Sequence, residues 1–279
     1  MNSCIKPIAD LALSLPADKG FALIPNRRLY ELYALMLHSR LLAERLPSLA
    51  RNGSFGPLAD TCGQEAPIVA ATIDLTRGDT LAPGAGALVP CYLKGLPLAS
   101  IRALIAGGKS RIVWSRFGLV SPTLALEAQL EQALAAAAAH RAAKSGKIAV
   151  AFCGDSAANP ALLRKALRRA GKEKLPILFV CSTATEDEEI AGLADRYGFP
   201  GIVAEAHDAV AVYRVVTESM AHARRGNGAT LIECRPWPLA DAIADPLEKM
   251  EAALKRRGIF TARFKTQTAA AFKRLLAVR

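Results

Sequence analysis

The apolar positions near the start of the chain repeat with the period of a helix. Over residues 28–51, leucine and methionine recur at three- and four-residue intervals, which predicts one long helix. Gly53 and Gly56 end this pattern, and a second helix is predicted over 64–75. Residues 1–28 contain several turn formers, so we expect an irregular N-terminal arm ahead of the first helix.

Beyond residue 124, short apolar runs alternate with helical segments. Strands are predicted over 148–153, 177–181, 202–205 and 230–234, and helices over 124–143, 160–170 and 209–225, with two amphipathic helices at the C-terminal end. Because the short runs are apolar at successive positions, helices should cover both faces of the sheet. The sequence therefore predicts an α/β fold with a mostly parallel sheet, built as one domain over 29–279.

Three polar residues stand where helix caps are expected. Asn159 precedes Pro160, Asp208 precedes the helix at 209, and Asp245 precedes Pro246. An oxygen-bearing side chain at this position accepts a hydrogen bond from a free backbone amide of the first turn. Proline suits the first helical position because its missing N–H would have no partner there.

The composition narrows the class of protein. In 279 residues, 52% are apolar, and the net charge is +11. The positive residues are scattered over predicted helix faces and ends, and few aromatic residues accompany them, so nucleic-acid binding rests on net charge alone.

Six cysteines lie far apart without a Cys-x-x-Cys pair, which indicates reduced thiols in a cytoplasmic protein. We expect neither a signal peptide nor a membrane span, since the richest apolar stretch, 133–139, is too short.

The candidate chemistry lies at the end of the strand predicted over 148–153. This strand leads into Gly154, Asp155 and Ser156, and a helix follows directly. Ligands bind at the carboxyl ends of strands in open α/β sheets, and a carboxylate beside a helix start suits a magnesium-bridged phosphate. The alternative is structural, with Asp155 accepting hydrogen bonds from the amides of the next turn.

An ordered series of short motifs resembles the alpha subunits of 2-oxo acid dehydrogenases of the pyruvate and branched-chain type. The matching segments are Gly63–Ala66, Arg77–Asp79, Gly154–Asp155, Lys174–Cys181, Tyr197–Gly201, Gly228–Glu233 and Asp245–Glu248. The resemblance implies a thiamine diphosphate-binding fold, with thiamine diphosphate and Mg²⁺ as cofactors. It also implies Gly154, Asp155, Ser156 and Asn159 as cofactor-binding residues, and Asp155 as the metal ligand. The implied partner is a beta-like subunit of a dehydrogenase complex or a second copy in a homodimer.

The departures from the family pattern fall at its chemistry. Asp155 and Ala184 keep the family's spacing, but the family's Asn-Asn is replaced by Thr183-Ala184, so a magnesium ligand is missing. Thr183, Glu186 or Asp187 remain possible substitutes. The family's Tyr-Arg-Asp-His corresponds to 85–88, where Gly86 replaces the arginine expected to bind diphosphate and Leu88 replaces the histidine. A later Arg-Leu-Gly-Gly-His corresponds to 238–242, which has neither cation nor histidine.

The resemblance leads to two hypotheses about function, and a third hypothesis rests on the net charge. The first is a divergent alpha-like subunit with a largely decayed cofactor site, a pseudoenzyme candidate that serves as a structural or regulatory partner. The second is a working alpha subunit that acts with a beta subunit in oxidative decarboxylation of a 2-oxo acid. The third is a basic nucleic-acid-binding protein.

Several other residues have both a structural and a functional reading. Glu65 lies either near a substrate channel or in the first turn of a helix. Cys153 and Cys181 end neighbouring strands, where they can approach one another; we expect buried core thiols, and a redox role is the alternative. None of the four histidines has a partner at metal-ligand spacing, so each is expected to be structural or solvated.

Overall fold

The computed structural model describes residues 23–50, 55–107, 112–155, 160–182, 190–235 and 245–277. In this part of the chain the helices are α1 (Asn26–Leu49), α2 (Glu65–Thr72), α3 (Val89–Leu93), α4 (Leu98–Ile105), α5 (Leu126–Ala142), α6 (Pro160–Lys172), α7 (Gly192–Asp195), α8 (Ala209–Arg224), α9 (Pro246–Arg256) and α10 (Ala262–Ala277). A 3₁₀ turn over Trp114–Phe117 lies between α4 and α5. Among the described residues, no helix combines the length and the apolar character that crossing a bilayer requires.

Within the described ranges, five parallel strands form the central sheet. They are β1 (Thr80–Ala82), β2 (Ala149–Asp155), β3 (Ile177–Ser182), β4 (Gly201–Glu205) and β5 (Thr230–Arg235). Their order across the sheet is β1-β2-β3-β5-β4, and each neighbouring pair is parallel. The chain thus proceeds in one direction as far as β4 and then turns back to insert β5 beside β3. All five carboxyl ends consequently lie at the same edge of the sheet.

Successive strand residues enter two different cores. Val150 and Phe152 of β2 belong to the core formed with α1, α2, α8, α9 and α10. Ala149 and Ala151 belong to the second core, which α5, α6 and α7 cover. Because helices cover both faces, an apolar residue is favoured at every position of a central strand. The predicted α/β class with helices on both faces is confirmed.

A buried carboxylate fastens the amino end of the sheet. Asp79, which is fully buried, accepts hydrogen bonds from the Thr76 backbone amide at 2.7 Å and from the Ile148 amide at 3.0 Å. The guanidinium of Arg224, at the end of α8, donates two more at 2.9 and 2.7 Å. Burial opposes the ionised form, but the bonds from Arg224 and the two amides keep the pKa of Asp79 below its usual value. The segment Arg77–Asp79 therefore has a structural role.

Two of the three predicted caps can be checked, and both are confirmed. The Asp208 carboxylate accepts from the amides of Val210 and Ala211 at 3.0 Å each. The Asp245 carboxylate accepts from Leu247 at 2.8 Å and Glu248 at 3.2 Å. Asn159 lies outside the described residues.

The boundaries differ from the expected ones by a few residues. The first helix covers 26–49 instead of 28–51, and the second ends at Thr72 instead of residue 75. No element was predicted over 80–123, where the structure has a three-residue strand, a five-residue helix and an eight-residue helix. Such short elements contain fewer than three helical turns, so their periodicity is too brief to recognise.

Candidate functional site at the carboxyl edge of the sheet

The carboxyl ends of β2 and β3 bring the predicted metal ligand to the edge of the sheet. Asp155 is the last residue of β2, and its backbone is in register with Ser182, the last residue of β3. The register shifts between Phe152 and Asp155, and Gly154, with φ of +61°, accommodates this irregularity. The predicted position of Asp155 at a strand end is confirmed. Ser156, Asn159 and the segment 183–189 lie outside the described residues.

The loop after β1 closes tightly on a neighbouring segment. At Gly86 the backbone has φ of +72°, and a Cβ atom there would lie 2.4 Å from the Pro57 carbonyl oxygen and 2.9 Å from the Ala59 nitrogen. The Ala59 amide donates to the Gly86 carbonyl at 3.1 Å, and the Gly86 amide donates to the Pro122 carbonyl at 2.9 Å. Because the obstructing atoms are backbone atoms, any larger residue at 86 would have to displace the 57–59 segment.

Gln129 fixes the same loop from the opposite side. This α5 residue is fully buried; its side-chain oxygen accepts from the Gly84 amide at 3.0 Å, and its side-chain nitrogen donates to the Leu124 carbonyl at 2.9 Å. Leu88, where the resemblance expects a histidine, is 1% exposed and lies in the apolar core. Residues 84–88 thus form a rigid, apolar loop. Gln129 was not predicted from the sequence; α5 also contains Gln132, and only the burial of Gln129 distinguishes the two.

Glu65 belongs to a buried ion-pair cluster. The Arg40 guanidinium on α1 donates to both Glu65 oxygens, at 2.5 and 3.0 Å, and to Asp245 at 2.8 Å. The Gly63 amide donates to Glu65 as well, at 3.1 Å. Glu65 is fully buried, so these bonds satisfy a carboxylate that would otherwise be costly to bury. The cluster ties α1 to the starts of α2 and α9, which favours the structural reading of Glu65.

The charges of this cluster change the ionisation of its members. The hydrogen bond to Glu65 is the largest effect on Arg40 and raises the pKa of its guanidinium further. Burial opposes ionisation of Asp245, but the bonds from Arg40 and two backbone amides lower the pKa of Asp245. Burial, Asp60 and Glu65 raise the pKa of the nearby Cys62 thiol to about 11. Cys62 is therefore protonated at neutral pH and is a poor nucleophile.

A buried glutamate holds the chain that follows β3. Glu233 on β5 is fully buried and accepts a hydrogen bond from the Ala191 amide at 2.8 Å. Its other oxygen accepts from Arg235 at 2.8 Å, and Arg235 ends the strand at the carboxyl edge. Glu233 thus ties the start of α7 to β5. The sequence showed a glutamate within an apolar strand but did not reveal its partner.

Two cysteine side chains near the carboxyl ends of neighbouring strands contact each other. Cys153 and Cys181 are both buried and unpaired by a disulfide, and contact with Cys181 together with burial raises the pKa of the Cys153 thiol. The expected approach of these two cysteines is confirmed. A high pKa keeps the thiol protonated, so Cys153 has the character of a core residue.

Three of the four histidines lie within helices, and the fourth, His207, follows the carboxyl end of β4. His38 is buried and stacked on Phe272 with ring centroids 4.2 Å apart, and His140 Nε2 lies 3.1 Å from the Thr80 hydroxyl at the amino end of β1. His222 lies within α8, and His207 Nδ1 lies 3.8 Å from Glu205. Within the described ranges, no group of three or more His, Cys, Asp or Glu residues is arranged to hold a metal ion.

Comparison with known families decides the ancestry of this fold. The family model described as "Dehydrogenase E1 component" matches residues 33–237, which includes the whole sheet and the loops at its carboxyl edge. The chain belongs to the dehydrogenase E1 component family. The resemblance to 2-oxo acid dehydrogenase alpha subunits is thereby confirmed.

Relatives of this E1-family chain include alpha subunits from staphylococci. The chain is 30% identical over 222 residues to a pyruvate dehydrogenase E1 component subunit alpha of Staphylococcus aureus, covering 75% of this chain and 60% of the relative. The corresponding subunit of Staphylococcus epidermidis is 29% identical with the same coverage. The chain thus spans about 60% of the length of the relatives that it matches.

A solved structure supports the fold independently. Transketolase from Campylobacter jejuni superimposes with a TM-score of 0.55 over 87% of this chain and 46% of that chain, at 18% identity. At this level of identity the likeness concerns the fold alone. The predicted thiamine diphosphate-binding fold is confirmed.

Proposed function

We propose that this E1-family chain is a divergent alpha-like subunit whose cofactor site has largely decayed and which serves as a structural or regulatory partner. In this proposal the fold retains the shape of an alpha subunit, while the residues that would bind thiamine diphosphate and magnesium have been lost. The partner is a beta-like dehydrogenase subunit or a second copy of this chain.

The main support for this proposal is the lack of room for a side chain at Gly86. The family pattern expects an arginine at this position to bind the diphosphate, and arginine does so through bidentate, charge-assisted hydrogen bonds. The carbonyl of Pro57 and the amide of Ala59 fill the space that even a methyl group would need. An arginine at residue 86 therefore has no room in this loop, and the diphosphate lacks that partner. The neighbouring Leu88, buried in the core, cannot replace a histidine in acid–base chemistry.

The metal site gives weaker support for the same conclusion. Asp155 is retained at the strand end, but Ala184 has no side-chain oxygen to coordinate a metal ion. Magnesium requires near-octahedral oxygen coordination, and its protein ligands are usually one or two carboxylates. Loss of one ligand should therefore weaken binding substantially.

One observation favours the second candidate, a working alpha subunit that acts with a beta subunit in oxidative decarboxylation of a 2-oxo acid. The chain belongs to the E1 family, and Asp155 lies at the carboxyl end of β2, where the family pattern has its metal ligand. In that case Asp155 and Gly154 would hold the magnesium ion and the diphosphate with substitute ligands, and Ser156 and Asn159 would assist.

Thermal unfolding with and without thiamine diphosphate plus Mg²⁺ distinguishes the two candidates. A ligand at a hundred times its dissociation constant stabilises a protein by about 2.7 kcal/mol. We expect no shift of Tm at millimolar cofactor, either for the chain alone or for its complex with a beta-type subunit. A shift that is present in the wild type and lost in Asp155→Ala would overturn the proposal. Asp195→Ala, which removes an exposed carboxylate from α7, is the matched control.

A further inference from the structure

The helix α6 and the turn after it are strongly basic. Residues 160–174, which contain α6, include six Lys or Arg residues and one Glu, a net charge of +5 within a total of +11. The buried side of α6 consists of Leu163, Ala166, Leu167 and Ala170. The cations therefore occupy the remaining surface of the helix.

One row of these cations already pairs with an acidic helix. Lys165 and Arg169, four residues apart, contact Glu127 and Glu131 of α5, which are also four residues apart. Lys165 Nζ lies 3.4 Å from Glu127 and 3.1 Å from Glu131, and Arg169 lies 3.1 Å from Glu131. The spacing of four residues corresponds to about 6 Å along each helix axis, so the two rows match each other.

A second row has the same spacing and remains uncovered. Arg164, Arg168 and Lys172 are exposed and stand four residues apart. No ion pair joins any of them to another of the residues that the structure describes, whereas the adjacent row is paired throughout. Three like charges on one helix face repel one another, so the row costs stability unless an anionic partner covers it.

We infer that the row formed by Arg164, Arg168 and Lys172 is a docking surface for an acidic helix of a partner protein, with carboxylates at four-residue spacing. The contact between α5 and α6 within this chain is the precedent, because its acidic and basic rows have the same four-residue spacing. A nucleic-acid strand is less well matched because α6 contains no aromatic side chain on which a base could stack. The inference goes beyond the proposed function and does not depend on the loss of cofactor binding.

Binding of synthetic helical peptides to the full chain tests this inference. The probe is an alanine-based peptide with glutamate at every fourth position, and its glutamine counterpart is the reference peptide. We expect the acidic peptide to bind, with an affinity that falls as salt is raised. The triple variant Arg164→Glu, Arg168→Glu, Lys172→Glu should bind it about tenfold more weakly or worse.

A variant with the same change in net charge tests whether peptide binding depends on the α6 row itself or only on the net charge of the protein. Reversal of Arg263, Lys273 and Arg274, three exposed cations of α10, changes the net charge by the same amount and should leave peptide binding unchanged. The milder triple replacement of the α6 row by glutamine serves if the glutamate variant folds poorly. No binding, or equal loss in both reversed variants, overturns the inference. Tighter binding of a single-stranded oligonucleotide to the same row overturns it in favour of a nucleic-acid partner.

Discussion

At the scale of single residues, Gly86 is the position on which the functional account depends most. Its positive φ and the nearby backbone of Pro57 and Ala59 leave no space for a side chain. Gly86→Ala should therefore destabilise the protein in two ways. The left-handed backbone costs an alanine about 1 kcal/mol, and displacement of the 57–59 segment adds about 2 kcal/mol. Equilibrium unfolding in urea measures the total loss.

Gly146 provides the control for that measurement. It also has a positive φ, of +66°, but a Cβ atom there would meet nothing within 4 Å. Gly146→Ala should therefore lose only about 1 kcal/mol, the backbone contribution alone. Equal losses in the two variants would mean that the 57–59 segment does not limit the space at Gly86.

His38 should make the stability of the protein depend on pH. Burial lowers the pKa of His38 to about 4, and neither ring nitrogen has a hydrogen-bond partner among the described residues. In the unfolded chain a histidine titrates near pH 6.5, so between these values only the unfolded state binds the proton. The free energy of unfolding is thus unaffected above pH 6.5 and falls by up to roughly 3 kcal/mol as the pH decreases to 4.

His38→Leu tests this dependence because leucine keeps apolar contact with Phe272 but does not titrate. The free energy of unfolding of the variant, measured by urea titration between pH 7 and pH 4, should fall less steeply than that of the wild type. Some slope should remain because burial also lowers the pKa of His140. Parallel slopes in the two proteins would contradict the assignment to His38.

At the scale of secondary-structure elements, Asp79 joins the start of β1 and β2 to the end of α8. Asp79→Asn keeps the size of the side chain, but it removes one acceptor and leaves Arg224 without its carboxylate. We expect a loss of about 2 to 3 kcal/mol in the free energy of unfolding, measured by urea denaturation. Asp195→Asn changes an exposed aspartate and should cost less than about 0.5 kcal/mol. A similarly small loss for Asp79→Asn would exclude it as an anchor of these elements.

The helices and strands also show which parts of the fold can be predicted from the sequence. Long helices such as α1, α5 and α8 and the apolar strands β2, β3 and β5 were predicted because their periodicity and composition extend over many residues. β1 and α3 were missed because they contain three and five residues. Of the candidate site, the sequence identified Asp155 at a strand end. Gln129 and Glu233 were missed because their importance comes from backbone amides distant in sequence, which no local pattern reveals.

At the scale of the whole molecule, the chain preserves the layered E1 fold while its edge loops differ from the family pattern. Two apolar cores hold the sheet between two layers of helices. The loop over 84–88 is fixed by Gln129, by Pro122 and by the 57–59 segment. Retention of the scaffold, together with a closed loop over 84–88, agrees with the proposed partner role.

The cofactor content of the purified protein tests this account most directly. The chain should be produced together with a beta-type dehydrogenase subunit in cells supplied with thiamine, and the purified complex denatured to release and quantify thiamine diphosphate. We predict much less than one cofactor per alpha-like chain, with no difference between the wild type and Asp155→Ala. One cofactor per chain in the wild type, lost in Asp155→Ala, would contradict the decayed site and establish a working alpha subunit.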